Sequence, residues 1–465
     1  MEIHFIGAAK TVTGSLHLLK IGDKQYILDC GLIQGKRKES FELNKNFTDF
    51  DPAEIDAVIL SHAHIDHCGN LPNLVKKGFK GKIYCTHATK DLAALLLKDC
   101  AHIQEKDIEF VNKKRAKQGK NLFEPIYDSV DVEKTLGRFE SINYHEELII
   151  SPSLKVMFYD AGHILGSSIL YMTINENGKT INLGFSGDLG RPNLPILNDP
   201  EKIPDVDYWI TESTYGGRFH ANIDEVDGKL TEIISKAIAK GGKIIIPSFS
   251  VGRTQELVYA MHKLFEAGKL PRIPIFVDSP LSTNATQIFR EHPECFDDET
   301  NEFLLNEEDP FGFNQLTYIT EVEESMKLNE LNTPAIIISS SGMAEAGRIL
   351  HHLRNNIQNP KNIILIVGYC AEHTLGRHLV ERMETVKIFG EEFKVNAEVI
   401  VLNSLSAHAD SNELISYCAD FNQEKLKMIF LVHGDEDQQE KFKARLNKIG
   451  FKNIMIPSKG DIFTI

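Results

Sequence analysis

The stretch "VILSHAHIDHCGN" places His62, His64, Asp66 and His67 within six positions, directly after an apolar run and just before a glycine. In an extended backbone, residues i and i+2 share one face. His62 and His64 can therefore reach the same metal ion as a strand ends. Gly69, Asn70 and Pro72 suit a loop entering a helix. That turn lets Asp66 and His67 reach a second ion. Neutral imidazole and carboxylate suit zinc. The bland alternative is a His-rich surface loop, and the position straight after an apolar strand speaks against it.

One short motif cannot complete two metal sites. His163 in "DAGHILGSS", Asp188 in "FSGDLGR" and His408 in "LSAHADS" stand at the ends of further expected strands. Each sits in a turn rich in small residues, where a side chain projects without crowding. A carboxylate such as Asp188 can bridge two cations. Asp29, in "YILDCG", can hold a ligand imidazole by its second nitrogen, as carboxylates behind metal ligands do.

With 465 residues, two or three domains are expected. Hydrophobic content of 42% with 25% charged residues describes a globular protein. No apolar run approaches the roughly 20 residues of a membrane span. The start "MEIHFIGAAK" lacks the basic and apolar regions of a signal peptide. Seven cysteines without a CxxC pair argue for a reducing compartment, hence a cytoplasmic location, and against cysteine-based zinc sites. The net charge of −15 is a poor match to non-specific nucleic-acid binding unless metals and local cations reverse the sign near the site.

The chain changes grammar along its length. Strand signals dominate up to about residue 205, interrupted by a helical pattern from "KDLAALLLKDC" onward. From about 206, the apolar runs "DYWITES", "KIIIPSF", "IPIFVDS", "PAIIISS" and "IILIVGY" are mostly followed by helical patterns. Repeated strand–loop–helix units predict a parallel sheet buried on both faces. No linker marks either border, so an inserted domain is expected. The organisation read from the sequence is 1–205 for the first part of one α/β domain, 206–395 for the insertion and 396–465 for the return.

Taken together, Asp29, HAHIDH, His163, Asp188 and His408 resemble the successive motifs of the metallo-β-lactamase superfamily. The resemblance implies an αββα sandwich with two zincs at one edge of its sheets. His62, His64 and His163 would hold one ion, Asp66, His67 and His408 the other, with Asp188 between them. The block 206–395 resembles the β-CASP domain of metallo-β-lactamase-type nucleases. On that resemblance motif A is Glu212 in "ITESTYGG", motif B is His378 in "TLGRH", and motif C is His408. A histidine at motif C resembles the RNA-acting branch, since DNA-acting members typically carry valine. "GAAKTVTGS" favours the endonuclease subunit of the mRNA cleavage-and-polyadenylation machinery and its stand-alone prokaryotic relatives over ribonuclease J. Neither an N-terminal KH-type region nor ribonuclease J's C-terminal domain is expected. One departure is His373, where the family usually has glycine.

Phosphodiester hydrolysis fits this ligand set. It needs an activated water, charge neutralisation on phosphate and protonation of the leaving oxygen. Two zincs about 3.5–4 Å apart supply the first two through a bridging hydroxide, and a histidine supplies the third. The expected acid is His378, oriented by Glu212. Ser341, Gly342 and Arg348 in "SSSGMAEAGR", Arg253 in "SFSVGRTQ", and His373 are candidate RNA contacts. Cations from these turns and from "TLGRH" are expected to face the zincs. The leading reading is a zinc-dependent endoribonuclease, with 5′ exonuclease activity as a possible addition. A small-molecule thioester or lactone hydrolase and a non-catalytic RNA-processing scaffold are the alternatives. Oligomeric state, monomer or homodimer, stays open.

Overall fold

The computed structural model describes the chain except residues 36, 221–225, 307–308, 369 and 403–405, and the side chain of residue 37. Leu405 of the "LSAHAD" motif thus lies outside the described residues. Eleven strands precede the insertion: β1 Glu2–Phe5, β2 His17–Ile21, β3 Lys24–Leu28, β4 Ala57–Ile59, β5 Lys82–Thr86, β6 Phe139–Ile142, β7 Leu148–Ser151, β8 Leu154–Asp160, β9 Ser168–Glu176, β10 Lys179–Phe185 and β11 Tyr208–Thr211. The insertion carries β12 Ile244–Pro247, β13 Ile275–Asp278, β14 Leu316–Ile319, β15 Ile336–Ser339, β16 Ile363–Ile366, β17 Thr385–Ile388, β18 Glu391–Lys394 and β19 Glu398–Val401. The chain ends with β20 Met428–Leu431, β21 Ile454–Met455 and β22 Ile462–Thr464.

Two seven-stranded sheets make the first unit, in the orders β22-β1-β2-β3-β4-β5-β6 and β21-β20-β11-β10-β9-β8-β7. One buried cluster draws on both, with Ile3, Phe5, Leu19 and Leu28 from the first sheet and Phe158, Leu170, Leu183 and Phe430 from the second. Alternating burial along β8 shows one covered face and one half-covered face. The far side of the second sheet packs Trp209 against Leu414 and Cys418 of the helix Ser411–Ala419 and Phe442 and Leu446 of the helix Glu436–Lys448. The helix His87–Ala116 follows β5 of the first sheet and buries Leu92, Ala93 and Leu97. This is the αββα metallo-β-lactamase sandwich.

The second unit is built on a six-stranded sheet in the order β14-β13-β15-β12-β16-β19, every pair parallel. Its central strands are fully buried, as the unbroken isoleucine runs require of a sheet covered on both faces. Ile245, Ile337 and Ile364 share a core with Leu353, Leu375 and Leu379 of the helical segments. Each such side chain contributes about 1.5–3 kcal/mol by leaving water. This is the inserted β-CASP α/β domain.

The compact units divide at other points than 205/206 and 395/396. Residues 1–192, 199–219 and 408–465 form the first unit, and 193–198 with 220–407 form the second. β11 is apolar and β-branched like the strands of the insertion, yet it pairs in parallel with β10 and β20 of the sandwich. β19 in turn extends the six-stranded sheet beside β16. Composition could not separate strands that look alike but belong to different sheets.

A buried carboxylate organises the second unit. Asp278 at the end of β13 accepts hydrogen bonds from Ser325 Oγ at 2.5 Å, Arg348 Nη1 at 2.6 Å and His352 Nε2 at 2.6 Å. Burial favours its neutral form, but the three donors outweigh burial and hold its carboxyl below the usual range. A depressed folded-state pKa adds stability above the unfolded carboxylate's pKa of about 3.9, and that stability is lost as pH falls through the folded value. Asp278→Asn should cost about 1.5–3 kcal/mol at neutral pH, because it removes the charge from a buried acceptor of three hydrogen bonds. Urea denaturation across a pH series should show this difference shrinking below about pH 4. A difference that persists unchanged at lower pH would contradict the charged role.

Candidate metal centre

Strand direction collects the functional loops. β10, β11 and β20 run parallel, and β8 points the same way because two antiparallel steps separate it from β10. The loops after these strands carry His163, Asp188, Glu212 and His433. In the other sheet the parallel pair β3 and β4 delivers Asp29 and His62. His64 then caps a single helical turn, Ile65–Cys68, that holds Asp66 and His67.

The loop after β3 is laced to that turn. Cys30 N donates to His67 O at 2.7 Å and Leu32 N to Ile65 O at 2.9 Å. A Cβ on Gly31 would stand 1.6 Å from the Asp66 carbonyl oxygen, so only glycine permits this approach. Asp29, fully buried, receives His67 Nδ1 at 2.7 Å, Ser61 N at 2.8 Å, Ser61 Oγ at 3.0 Å and Ser15 Oγ at 3.1 Å. The bond to Nδ1 makes that nitrogen the donor and turns the lone pair of His67 Nε2 inward. Ser61 Oγ, 3.0 Å from His62 Nδ1, serves His62 similarly.

Two clusters of ligand-type atoms result. In the first, His64 Nδ1 lies 3.2 Å from both His62 Nε2 and His163 Nε2, and Asp188 Oδ2 is 3.5 Å from each of the latter two. In the second, His67 Nε2 and His433 Nε2 are 3.2 Å apart, with Asp66 Oδ2 3.6 Å from the latter. Asp188 adjoins both, with Oδ2 3.4 Å from His67 Nε2 and Oδ1 3.3 Å from His433 Nδ1. Four donors around a tetrahedral zinc, bonded at about 2.0–2.1 Å, stand roughly 3.3 Å apart. The first cluster matches that spacing and donor chemistry. Asp188 Oδ1 and Glu212 Oε2 are buried and accept no hydrogen bond, as oxygen atoms facing a cation would.

The two clusters differ in their electrostatics: burial opposes the charged form of His67, but Asp188 and Asp29 outweigh it and hold its pKa well above the histidine range, whereas the rings of the first cluster are neutral. Burial depresses the pKa of His62 and His163 well below the histidine range, and that of His64 to about 4, so these rings are neutral and can ligate. Burial opposes ionisation of Asp66, but His433, His67 and His64 outweigh it and hold the carboxyl at about 2.

His408 and Glu212 differ from their expected places. His408 does not join Asp66 and His67; His433 stands there. Its Nδ1 lies instead 3.3 Å from both Glu212 oxygens and 3.9 Å from Asp188 Oδ2. Burial lowers its basicity, while Glu212 and Asp188 outweigh that and raise its pKa to about 9. Glu212 also accepts Leu189 N at 2.6 Å, and the imidazole beside it within its own unit is that of His408. His378 lies half-buried on the helix Leu375–Val380 of the other unit. His433 was legible in principle. "IFLVHGD" repeats the grammar of the other motifs, an apolar strand ending in a histidine and a glycine.

The expected RNA contacts are mostly committed elsewhere. Arg253 is buried in an ion pair with Glu256. Arg348 serves Asp278 and the Thr320 carbonyl. Arg377 of "TLGRH" pairs with Glu381 at 2.7 Å. Ser341 Oγ accepts Glu345 N and Ala346 N at 3.2 Å each and so closes its own turn, while a Cβ on the adjacent Gly342 would press on the Phe249 ring at 2.8 Å. His373 is exposed with φ +67°, a left-handed conformation that costs an L-residue about 1–2 kcal/mol and explains why glycine suits this position.

Gly31→Ala should lower stability by roughly 3 kcal/mol, because the clash is with backbone. It should also weaken metal uptake, through displacement of Asp66 and His67. Thermal melts and metal analysis of the purified variant test this; unchanged values in both would show that the loop can retreat.

Residues 11–133 match the metallo-β-lactamase superfamily, 254–379 the Beta-Casp domain, and 392–457 the Zn-dependent metallo-hydrolase RNA specificity domain. The chain is 35% identical over 438 residues to ribonuclease TTHA0252 of Thermus thermophilus, covering 94% of each. It is 30% identical over 474 residues to the transcription termination factor FttA of Methanocaldococcus jannaschii, covering 100% of this chain and 72% of the relative. An RNase J-like protein of the same organism is 31% identical over 469 residues, 100% of this chain and 99% of the relative. A solved protein of unknown function from Enterococcus faecalis V583 shares the fold with a TM-score of 0.56 at 12% identity, over 100% of this chain and 99% of that one. The chain belongs to the metallo-β-lactamase superfamily, among the members that carry a β-CASP domain.

Proposed function

We propose that the chain is a zinc-dependent ribonuclease that hydrolyses phosphodiester bonds of RNA, with His408 as the proton donor. The observation that carries this reading is the pair of donor clusters around Asp188, with a carboxylate-backed imidazole beside them. The names of the relatives, a ribonuclease and an RNase J-like protein among them, support RNA as the substrate class. Among the described residues no helix is long and apolar enough to cross a membrane.

Each residue has a distinct task on this reading. His62, His64 and His163 would hold one zinc, Asp66, His67 and His433 the other, with Asp188 shared. Bound there, the metal pair would neutralise charge on the phosphate and activate a water molecule at neutral pH. Asp29 and Ser61 fix the ring orientation of His67 and His62. His408 is kept protonated by Glu212 and Asp188, and can give its proton to the leaving oxygen. This reading places the acid at His408, which Glu212 backs within the same unit, and keeps His378 as the competing assignment.

Metal analysis should approach two zincs per chain, falling by about one in His433→Ala and staying full in His408→Ala. Cleavage of a labelled single-stranded RNA should stop with chelator and return with zinc. His408→Ala should slow it by about 10²–10⁴-fold, and Glu212→Gln by less. His378→Ala separates the two assignments. If it abolishes cleavage with full metal while His408→Ala loses an ion, the sequence-based roles stand and the reassignment fails. A fully metallated chain that cleaves no RNA would sink the ribonuclease reading.

A further inference from the structure

The helix His87–Ala116 is 30 residues long, and its last buried residue is Ala101. In its second half Ile108 and Val111 are only half-covered and Glu105 accepts Ser129 N and Oγ. The segment ends in "KKRAKQGK", residues 113–120, five cations in eight positions with no carboxylate, in a chain of net charge −15. Basic residues in a last helical turn complement the helix dipole. That accounts for Lys113, Lys114 and Arg115 but not for Lys117 and Lys120, which lie beyond the helix.

The tip is built rather than frayed. Gly119, at φ +62°, reverses the chain, and Lys120 N donates to Arg115 O at 3.1 Å. The Asn112 side chain clasps the returning backbone from both sides, donating to Phe123 O at 2.8 Å and accepting Phe123 N at 2.9 Å. Arg115 Nε donates to Asn121 O at 2.6 Å, and its guanidinium lies 3.9 Å from the Phe123 ring centroid. The result is a fixed aromatic–guanidinium stack on an exposed knob. Phe123 is 45% exposed and Phe110, one helical turn back, 76%. Lys113 is paired with Glu109 at 2.9 Å. Lys114, Lys117 and Lys120 are exposed, with no ion pair to a carboxylate among the described residues.

We propose that this knob is a binding surface for single-stranded RNA, separate from the metal clusters, on which the three lysines take backbone phosphates and Phe123 and Phe110 take bases. The inference rests on the ribonuclease reading for the identity of its polyanion. Cations without protein partners supply the electrostatic part of such binding, and exposed aromatic faces supply the stacking part. An acidic protein segment would be drawn by the lysines, yet gains little from exposed aromatic rings such as Phe123, which lies against Arg115. The surface would tether the substrate beside a predominantly acidic body, so it should matter for long RNA and not for short.

The test uses the intact metal-loaded chain and fluorescence anisotropy with a labelled single-stranded RNA of about 30 nucleotides over a salt series. Lys114→Ala/Lys117→Ala/Lys120→Ala should reduce the slope of log affinity against log salt by roughly 2, three contacts at about 0.7 each. Phe110→Ala/Phe123→Ala should weaken binding about tenfold with the slope unchanged. Zinc content, and cleavage of an RNA about 8 nucleotides long, too short to reach both places, should equal those of the parent. Unaltered affinity and slope in both variants, with the parent still binding RNA, would overturn the proposal. A triple-lysine variant that loses binding of polyglutamate but not of RNA would overturn it in favour of an acidic protein partner. Absence of RNA binding by the parent would defeat the proposal by defeating the ribonuclease reading itself.

Discussion

The carboxylate of Asp29 is the interaction on which the site's geometry depends. It sits fully buried at φ +57° straight after β3 and receives four hydrogen bonds, from Ser15, from Ser61 twice and from His67. Three segments distant in sequence are tied through one group. A buried carboxylate without partners would be costly, so the fold is held to the one arrangement that satisfies it. That arrangement also points His67 Nε2 at His433 Nε2, 3.2 Å away, and at Asp188 Oδ2, 3.4 Å away. The imidazoles of both clusters therefore face one another, an arrangement unfavourable for a protein alone and favourable around a cation.

The same logic explains the topology. Donor side chains separated by up to 371 positions, His62 to His433, meet because parallel strands bring their C-terminal ends to one edge. The sandwich core behind them, from Phe5 and Leu28 to Phe158 and Phe430, fixes the two sheets against each other. Strand ends on packed sheets are more rigid supports than free loops, which is what a metal site with fixed donor distances needs.

Legibility in the sequence followed from locality. HAHIDH could be read because its ligands lie within six residues, and Asp29, His163 and Asp188 because each ends a strand in a turn of small residues. The fold class was equally open, since isoleucine runs such as "KIIIPSF" differ from the alternating pattern of the sandwich strands. What local patterns do not state are pairings across long separations. His408 and His433 occupy similar strand-end contexts, and no local pattern states which one faces Asp66 and which one faces Glu212. The domain borders failed for the same reason, because β11 has the composition of the insertion and the partners of the sandwich. Arg253 and Arg348 look like phosphate contacts in any glycine-rich turn, and only coordinates reveal Glu256 and Asp278 beside them.

Those committed arginines alter the electrostatic argument for a chain of net charge −15. The cations of "GRTQ", "AEAGR" and "TLGRH" pair with Glu256, Asp278 and Glu381, and the first two of these contacts organise the interior of the β-CASP domain. A guanidinium satisfied by a buried carboxylate is a poor donor to phosphate, because taking it would strand the acid. Arg377 and Glu381 form only an exposed pair, which is weak, and two further sources of attraction for a polyanion remain. One is positive charge brought to the clusters by metal, with His408 beside it. The other is lysine without a carboxylate partner, which the sandwich presents at 114, 117 and 120. The net negative charge of the chain opposes polyanion binding away from its cationic patches. On the ribonuclease reading, cations gathered at such points suit local engagement of RNA rather than coating along its length.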